Sequence, residues 1–124
     1  MTLSYREIEN GDLIEIELDG KVERADFEHV AGRLERAIEQ HGKLRLLEVV
    51  RSFTGVDAAT LLDDLKFSFR HLNDFSRVAV VTDLTWMRAL ASVSGALIRA
   101  EIRVFGLAEI DAARAWLRDE PGPA

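Results

Sequence analysis

The sequence predicts an α/β domain built on a mostly parallel five-stranded sheet, with an antiparallel edge and helices packed against it. Three observations favour this class. Short apolar, β-branched runs alternate with helical stretches in the second half of the chain, at 78–81 and 102–105, and parallel strands need such helical crossovers. The amino-terminal residues instead read as a hairpin. The length of 124 residues fits one domain.

The hairpin opens the element order ββαβαβαβα. Its arms are predicted at 3–8 and 13–18. Asn10 and Gly11 lie between them, and both residues tolerate the positive φ angles of a tight hairpin turn. In the second arm apolar residues alternate with glutamates, so one face is buried and the other is wet. Asp19-Gly20 is interpreted as the end of this strand.

A helix and a third strand follow. Apolar residues recur at helical spacing from Phe27 to Ile38, with charged residues on the opposite side. Gly42 suits the left-handed position that closes a helix. Residues 44–50 form the third predicted strand, and residues 52–56 are expected to form a loop.

The second half repeats the strand–helix alternation. Asp57 is the predicted N-cap of a helix with an apolar stripe. Asp83 lies where ligands bind in open α/β sheets, but we interpret it or Thr85 as the cap of the next helix. The elements are a helix after Asp57, a strand at 78–81, a helix at 86–100, a strand at 102–105 and a helix at 109–118. We assign 1–119 to the domain and 120–124 to a flexible tail.

Composition excludes several classes of function. The chain has 22 acidic and 16 basic residues, a net charge of −6 and no cysteine. Without a basic cluster it is a poor partner for nucleic acid, and without cysteine it has no disulfide, thiolate chemistry or Cys-based zinc site. No apolar run approaches the roughly 20 residues of a membrane span, and the N-terminal residues lack the apolar core expected of a signal peptide. We expect a cytoplasmic protein.

No catalytic motif stands out. The sequence has no glycine-rich phosphate loop and no nucleophile elbow. The three histidines lack the spacing of a zinc site. Asp63 and Asp64 point about 100° apart on a helix, so they do not share one face. We therefore expect a non-enzymatic protein with neither a metal nor a cofactor.

The helix at 86–100 is the best candidate for a functional surface. Between Arg88 and Arg99 it carries no charge, whereas an ordinary surface helix has a polar outer face. Such a helix meets a partner or lines an apolar pocket. We expect a regulatory or protein-interaction domain whose partner is a second copy of the chain, as a homodimer, or another protein. The alternative is a carrier of a small apolar or lipid-like ligand. The candidate surface residues are Trp86, Met87, Leu90, Val93, Ser94, Leu97 and, in the preceding loop, Phe53.

Several short segments, in order along the chain, resemble one family. They are Leu18-Asp-Gly20, Phe53-Thr-Gly55, Arg77-Val-Ala-Val-Val-Thr-Asp83, Ala100-Glu-Ile-Arg-Val-Phe105 and Trp116-Leu117. The chain resembles the SpoIIAA-like family, the stand-alone relatives of STAS domains, which is also grouped with CRAL-TRIO lipid-exchange domains. The resemblance implies a compact α/β domain that acts through its surface and is often dimeric. The CRAL-TRIO grouping implies an apolar or lipid-like ligand.

The resemblance also raises the question of phosphorylation. In phosphorylated STAS antagonists, a serine at the start of the helix after the third strand accepts phosphate from a kinase. Ala58 stands at that position here, and alanine has no acceptor hydroxyl. Ser52 and Thr54, just upstream, are the remaining candidate phosphoacceptors near a helix N-terminus, where phosphate is favoured.

Overall fold

The computed structural model describes residues 3–8, 10–71, 73–97 and 101–119. Five strands form one sheet in the order β1-β2-β3-β4-β5. The β1–β2 pair is antiparallel and the other pairs are parallel, which confirms the predicted class. The strands are β1 Leu3–Ile8, β2 Leu13–Val22, β3 Leu44–Val56, β4 Phe75–Thr82 and β5 Glu101–Phe105. The helices are α1 Arg24–His41, α2 Ala58–Arg70, α3 Thr85–Leu97 and α4 Ile110–Arg118, with a 3₁₀ turn at Leu107–Glu109.

The helices divide between the two faces of the sheet. Residues of α1, α2 and α3 pack with the β2 and β3 side chains of one face, which we call the three-helix face. α4 packs on the opposite face, the α4 face, where its Ala113 and Leu117 contact Leu47 and Val81. Because side chains alternate along a strand, each inner strand contributes to both cores.

β2 and β3 are longer than the sequence predicts. Asp19-Gly20 does not end β2, and residues 52–56 are not a loop. Instead β2 and β3 continue as a parallel pair to Val22 and Val56, with irregular register after Leu18 and after Gly20. Positive φ angles at Gly20 (107°) and Gly55 (147°) accommodate these irregularities, since glycine inside a strand commonly marks a bulge. Phe53 therefore lies on a strand.

Two of the predicted turn and cap residues act as expected, and those predicted to cap α3 do not. Gly42 has φ 77° at the end of α1, and the Asp57 carboxylate accepts a 2.8 Å hydrogen bond from the Thr60 amide in α2. The expectation that Asp83 or Thr85 caps α3 is wrong: α3 begins at Thr85 itself, and Asp83 has a different partner. Its carboxylate accepts instead from the Leu107 amide at 3.0 Å, so it joins the end of β4 to the turn after β5.

Two arginines fasten the end of α4 to the sheet. Arg45 of β3 donates to the Leu117 carbonyl at 2.6 Å. Arg77 of β4 donates to the carbonyls of Trp116 at 2.7 Å and Asp119 at 3.0 Å. These bonds satisfy carbonyl groups that the last helical turn leaves unpaired, and they place positive charge at the negative end of the helix dipole.

Candidate functional site

The three-helix face has an opening over the middle of β3. Alternation along β3 places Glu48 on this face, between Leu46 and Val50 of the core. Its neighbours across the sheet are Ile16 and Val80. Glu48 is nevertheless exposed to solvent. A side chain in the middle of the central strand is exposed only where the overlying helices leave it uncovered, so the helix layer is open at this point.

One side of the opening is formed by α2. This helix leans on α1, where Phe27 and Phe67 meet edge to face with ring centroids 6.5 Å apart, and Thr60 is buried. Leu61 projects about 100° away from Thr60 around the helix. Both Leu61 and the adjacent Leu62 are about half exposed, at 47% and 53%. α2 therefore has an apolar side that α1 does not cover.

The other side is formed by α3. Trp86, Leu90 and Val93 follow the i, i+4, i+7 spacing of one helical stripe, and they are exposed by 52%, 59% and 60%. Phe53 of β3 packs edge to face on Trp86, with centroids 5.7 Å apart. This contact places the stripe on the β3 side of α3. We call the exposed residues on this face, Glu48 of β3, Leu61 of α2 and Trp86, Leu90 and Val93 of α3, the cleft.

Electrostatics distinguish Glu48 from ordinary surface glutamates. Glu48 is exposed as a residue, yet desolvation by the surrounding protein raises the pKa of its carboxyl to about 7. The negative charge of Asp64 on α2 raises this pKa further. Desolvation also raises the pKa of Asp64 itself. Within the described part of the chain, Glu48 makes neither a hydrogen bond nor an ion pair.

The structure brings part of the predicted surface together and adds one residue to it. Phe53 and Trp86 are in contact, and Leu90 and Val93 extend the same surface. Met87 is half-buried and packs against the core. The side chains of Ser94 and Leu97 lie outside the described part of the structure. Sequence reasoning missed Glu48, although a lone glutamate at an inward position of an apolar strand was a readable signal.

The candidate phosphoacceptors lie at the far end of β3. The Ser52 hydroxyl donates to the Asp19 carboxylate at 2.7 Å. The N-terminus of α2 already holds the Asp57 carboxylate, so a phosphate group there would meet a resident negative charge. Phosphorylation of Ser52 or Thr54 stays a prediction.

The described residues contain neither a cluster of metal ligands nor a helix that could cross a bilayer. Among the described residues no three His, Asp or Glu side chains are grouped as metal ligands. His71 lies with its Nδ1 2.7 Å from an Asp74 carboxylate oxygen, at the opposite end of α2 from the Asp57 cap. In the part of the chain that the structure covers, no helix combines the length and apolarity needed to cross a bilayer.

Comparisons with known proteins point to one family. The family model described as SpoIIAA-like matches residues 13–118. A solved structure of an uncharacterized protein from the DUF3478 family with a SpoIIAA-like fold, from Shewanella loihica PV-4, is similar with a TM-score of 0.74. The two chains are 22% identical, and the match covers 93% of this chain and 91% of that one. This likeness supports the fold. No curated protein matches the chain.

Proposed function

This chain belongs to the SpoIIAA-like family, and we propose that it is a non-enzymatic STAS-type domain whose cleft binds a small apolar or lipid-like ligand. The observation that carries this proposal is the exposure of Glu48 in the middle of the central strand, between two helices with exposed apolar sides. Ligand sites are concave, mostly apolar and equipped with few polar groups. The cleft has this composition.

The energetics of the exposed side chains support binding. Trp86, Leu90 and Val93 leave more than half of their surface in water, and each Å² of apolar surface removed from water contributes about 25 cal/mol. A ligand lying along this stripe gains that contribution without rearranging the α4 face.

Fluorescence titration tests this proposal. Trp86 borders the cleft and Trp116 lies on the α4 face, so a Trp116→Phe variant makes Trp86 the single reporter. We expect decanol to change its emission saturably. Adding Val93→Asp is expected to weaken binding at least tenfold, whereas the matched charge at the exposed Ala115 of α4, Ala115→Asp, leaves it unchanged. A titration with no saturable change would contradict a role in ligand binding.

A second candidate function is association with another copy of this chain. Trp86, Leu90 and Val93 form one exposed apolar stripe on an uncharged part of α3. Such a stripe pairs with itself about a two-fold axis, as isologous dimer interfaces do. This observation favours a homodimer through α3 over a partner that binds elsewhere on the domain.

Light scattering during size exclusion tests the homodimer. If α3 is a dimer interface, the native chain has a dimer mass and Leu90→Glu has a monomer mass. Ala115→Glu, on the opposite face, is the matched control and keeps the dimer. A monomer mass at every protein concentration would reject self-association and leave the ligand proposal in place.

A further inference from the structure

We propose that the cleft selects small ligands that carry a protonated amine on an apolar body, with the Glu48 carboxylate as the partner of the amine. This inference rests on the proposed ligand-binding function of the cleft. It commits to an amphipathic organic cation as the occupant. The reason is charge complementarity between the apolar walls, the acidic floor and such a molecule.

The position of Glu48 is unfavourable for the protein alone. The neighbouring positions on the three-helix face are apolar and buried: Ile16, Leu46, Val50 and Val80. Although Glu48 is exposed, a carboxylate among such neighbours loses part of its hydration, and a cationic partner would offset that loss. Within the described residues, no arginine, lysine or histidine pairs with Glu48. A ligand cation would supply the missing partner.

The surrounding charges favour a cation over an anion. Asp64 contributes a second negative charge that acts on Glu48. The basic residues of α2 do not offset it, because Lys66 and Arg70 line the groove between α2 and α1 instead. Arg70 lies 4.0 Å from the Glu35 carboxylate across that groove. A fatty acid would therefore place its carboxylate against uncompensated negative charge. This repulsion selects against anionic ligands and in favour of cationic ones.

The apolar walls determine the rest of the ligand. With its amine at Glu48, a flexible apolar chain has Trp86, Leu90 and Val93 on one side and Leu61 on the other. Hydrogen bonds between charged groups are stronger than neutral ones. The amine thus adds affinity to a site that apolar contacts already define.

A comparison of decylamine with decanol tests the inference. Both are titrated into the full chain at about pH 8, where the amine is protonated and Glu48 is ionised, in about 0.15 M salt to screen long-range attraction. The variants are Glu48→Gln and, as the matched control, Glu39→Gln on the exposed side of α1. The control removes the same charge at a distance from the cleft.

We expect Glu48→Gln to weaken decylamine binding about tenfold, the size of one charged hydrogen bond, and to change decanol binding less than twofold. Glu39→Gln should leave both affinities unchanged. Equal effects of Glu48→Gln on the two probes, or tighter binding of decanoate than of decylamine, would overturn the amine preference while leaving the apolar ligand site standing. Binding of neither probe would overturn both proposals.

Discussion

The two faces of the sheet are built from the same strands, but the helices cover one face more completely than the other. On the α4 face, Ala113 and Leu117 are completely buried, and arginines from β3 and β4 hold the helix end. On the three-helix face, α2 leans on α1 and α3 exposes Trp86 and Leu90. On the α4 face arginines pair with the carbonyls at the helix end, whereas the cleft leaves apolar surface exposed and one carboxyl unpaired. The contrast separates the part of the molecule that stabilises the fold from the part available for binding.

The largest expected difference between the faces comes from a pair of leucines. Leu117→Ala removes a fully buried side chain and should lower the free energy of unfolding by about 2–5 kcal/mol, because it leaves a cavity. Leu90→Ala removes a side chain that is 59% exposed and should change it by about 0.5 kcal/mol or less. Urea unfolding at constant protein concentration measures both.

Equal losses of unfolding free energy in Leu117→Ala and Leu90→Ala would contradict the difference between the two faces. In that case Leu90 would be buried in solution, either beneath α2 or in a dimer. Repeating the unfolding of Leu90→Ala over a range of protein concentrations distinguishes these two situations, since only a dimer contact makes the midpoint depend on concentration.

A smaller effect is expected from the carboxyl in the cleft. The pKa of Glu48 rises from 4.5 to about 7 on folding, so the folded chain binds more protons than the unfolded chain between these values. The resulting stability is fully present below about pH 4.5 and is lost as pH rises through about 7. Glu48→Gln removes this loss and should stabilise the chain at pH 8 by about 1 kcal/mol, after allowance for solvent screening.

The same variant should show almost no stabilisation at pH 5, where Glu48 is protonated in the folded chain. Chemical unfolding at pH 5 and pH 8 gives the two values. Glu39→Gln, on the exposed side of α1, is the control. It should change the free energy of unfolding by the same amount at both pH values. A stabilisation by Glu48→Gln that is equal at both pH values would show that its carboxyl is not desolvated.

The smallest expected effect is local and concerns α2. Asp57→Ala removes the carboxylate that accepts from the Thr60 amide and hydroxyl. Amides of α2 should then exchange hydrogen severalfold faster, because the helix loses its N-cap. Amides of α4 should keep their rates, since α4 lies on the other face. Faster exchange in both helices would mean that the two faces open together.

The sequence predicted those features that depend on neighbouring residues. Asp57 caps α2 and Gly42 ends α1 because caps and turns are decided within a few positions. The sequence predicted that β2 ends at Gly20, but pairing with β3 extends β2 beyond Gly20 to Val22. Asp83 looked like a helix cap, but its partner Leu107 is 24 residues away. Features of this kind depend on tertiary neighbours.

The candidate site shows the same division. The uncharged part of α3 was visible in the sequence, but the pattern did not show which of its stripes is exposed; in the structure Trp86, Leu90 and Val93 are exposed. Glu48 was hidden inside an apolar strand, because a single sequence does not show which helices cover the middle of a sheet. The pairing of α2 with α1, through Phe27 and Phe67, is what leaves Glu48 uncovered.

Thiol labelling tests the open cleft most directly, since the native chain contains no cysteine. Two variants each carry a single cysteine at an inward position of β3, Glu48→Cys and Val50→Cys. Each is treated with a small thiol reagent under native conditions, and Glu39→Cys is the freely exposed reference. We predict that Glu48→Cys reacts within about tenfold of the reference and that Val50→Cys, at a position 2% exposed, reacts only on unfolding. Decanol should protect Glu48→Cys. Labelling of Glu48→Cys that is as slow as that of Val50→Cys would contradict an open cleft over β3.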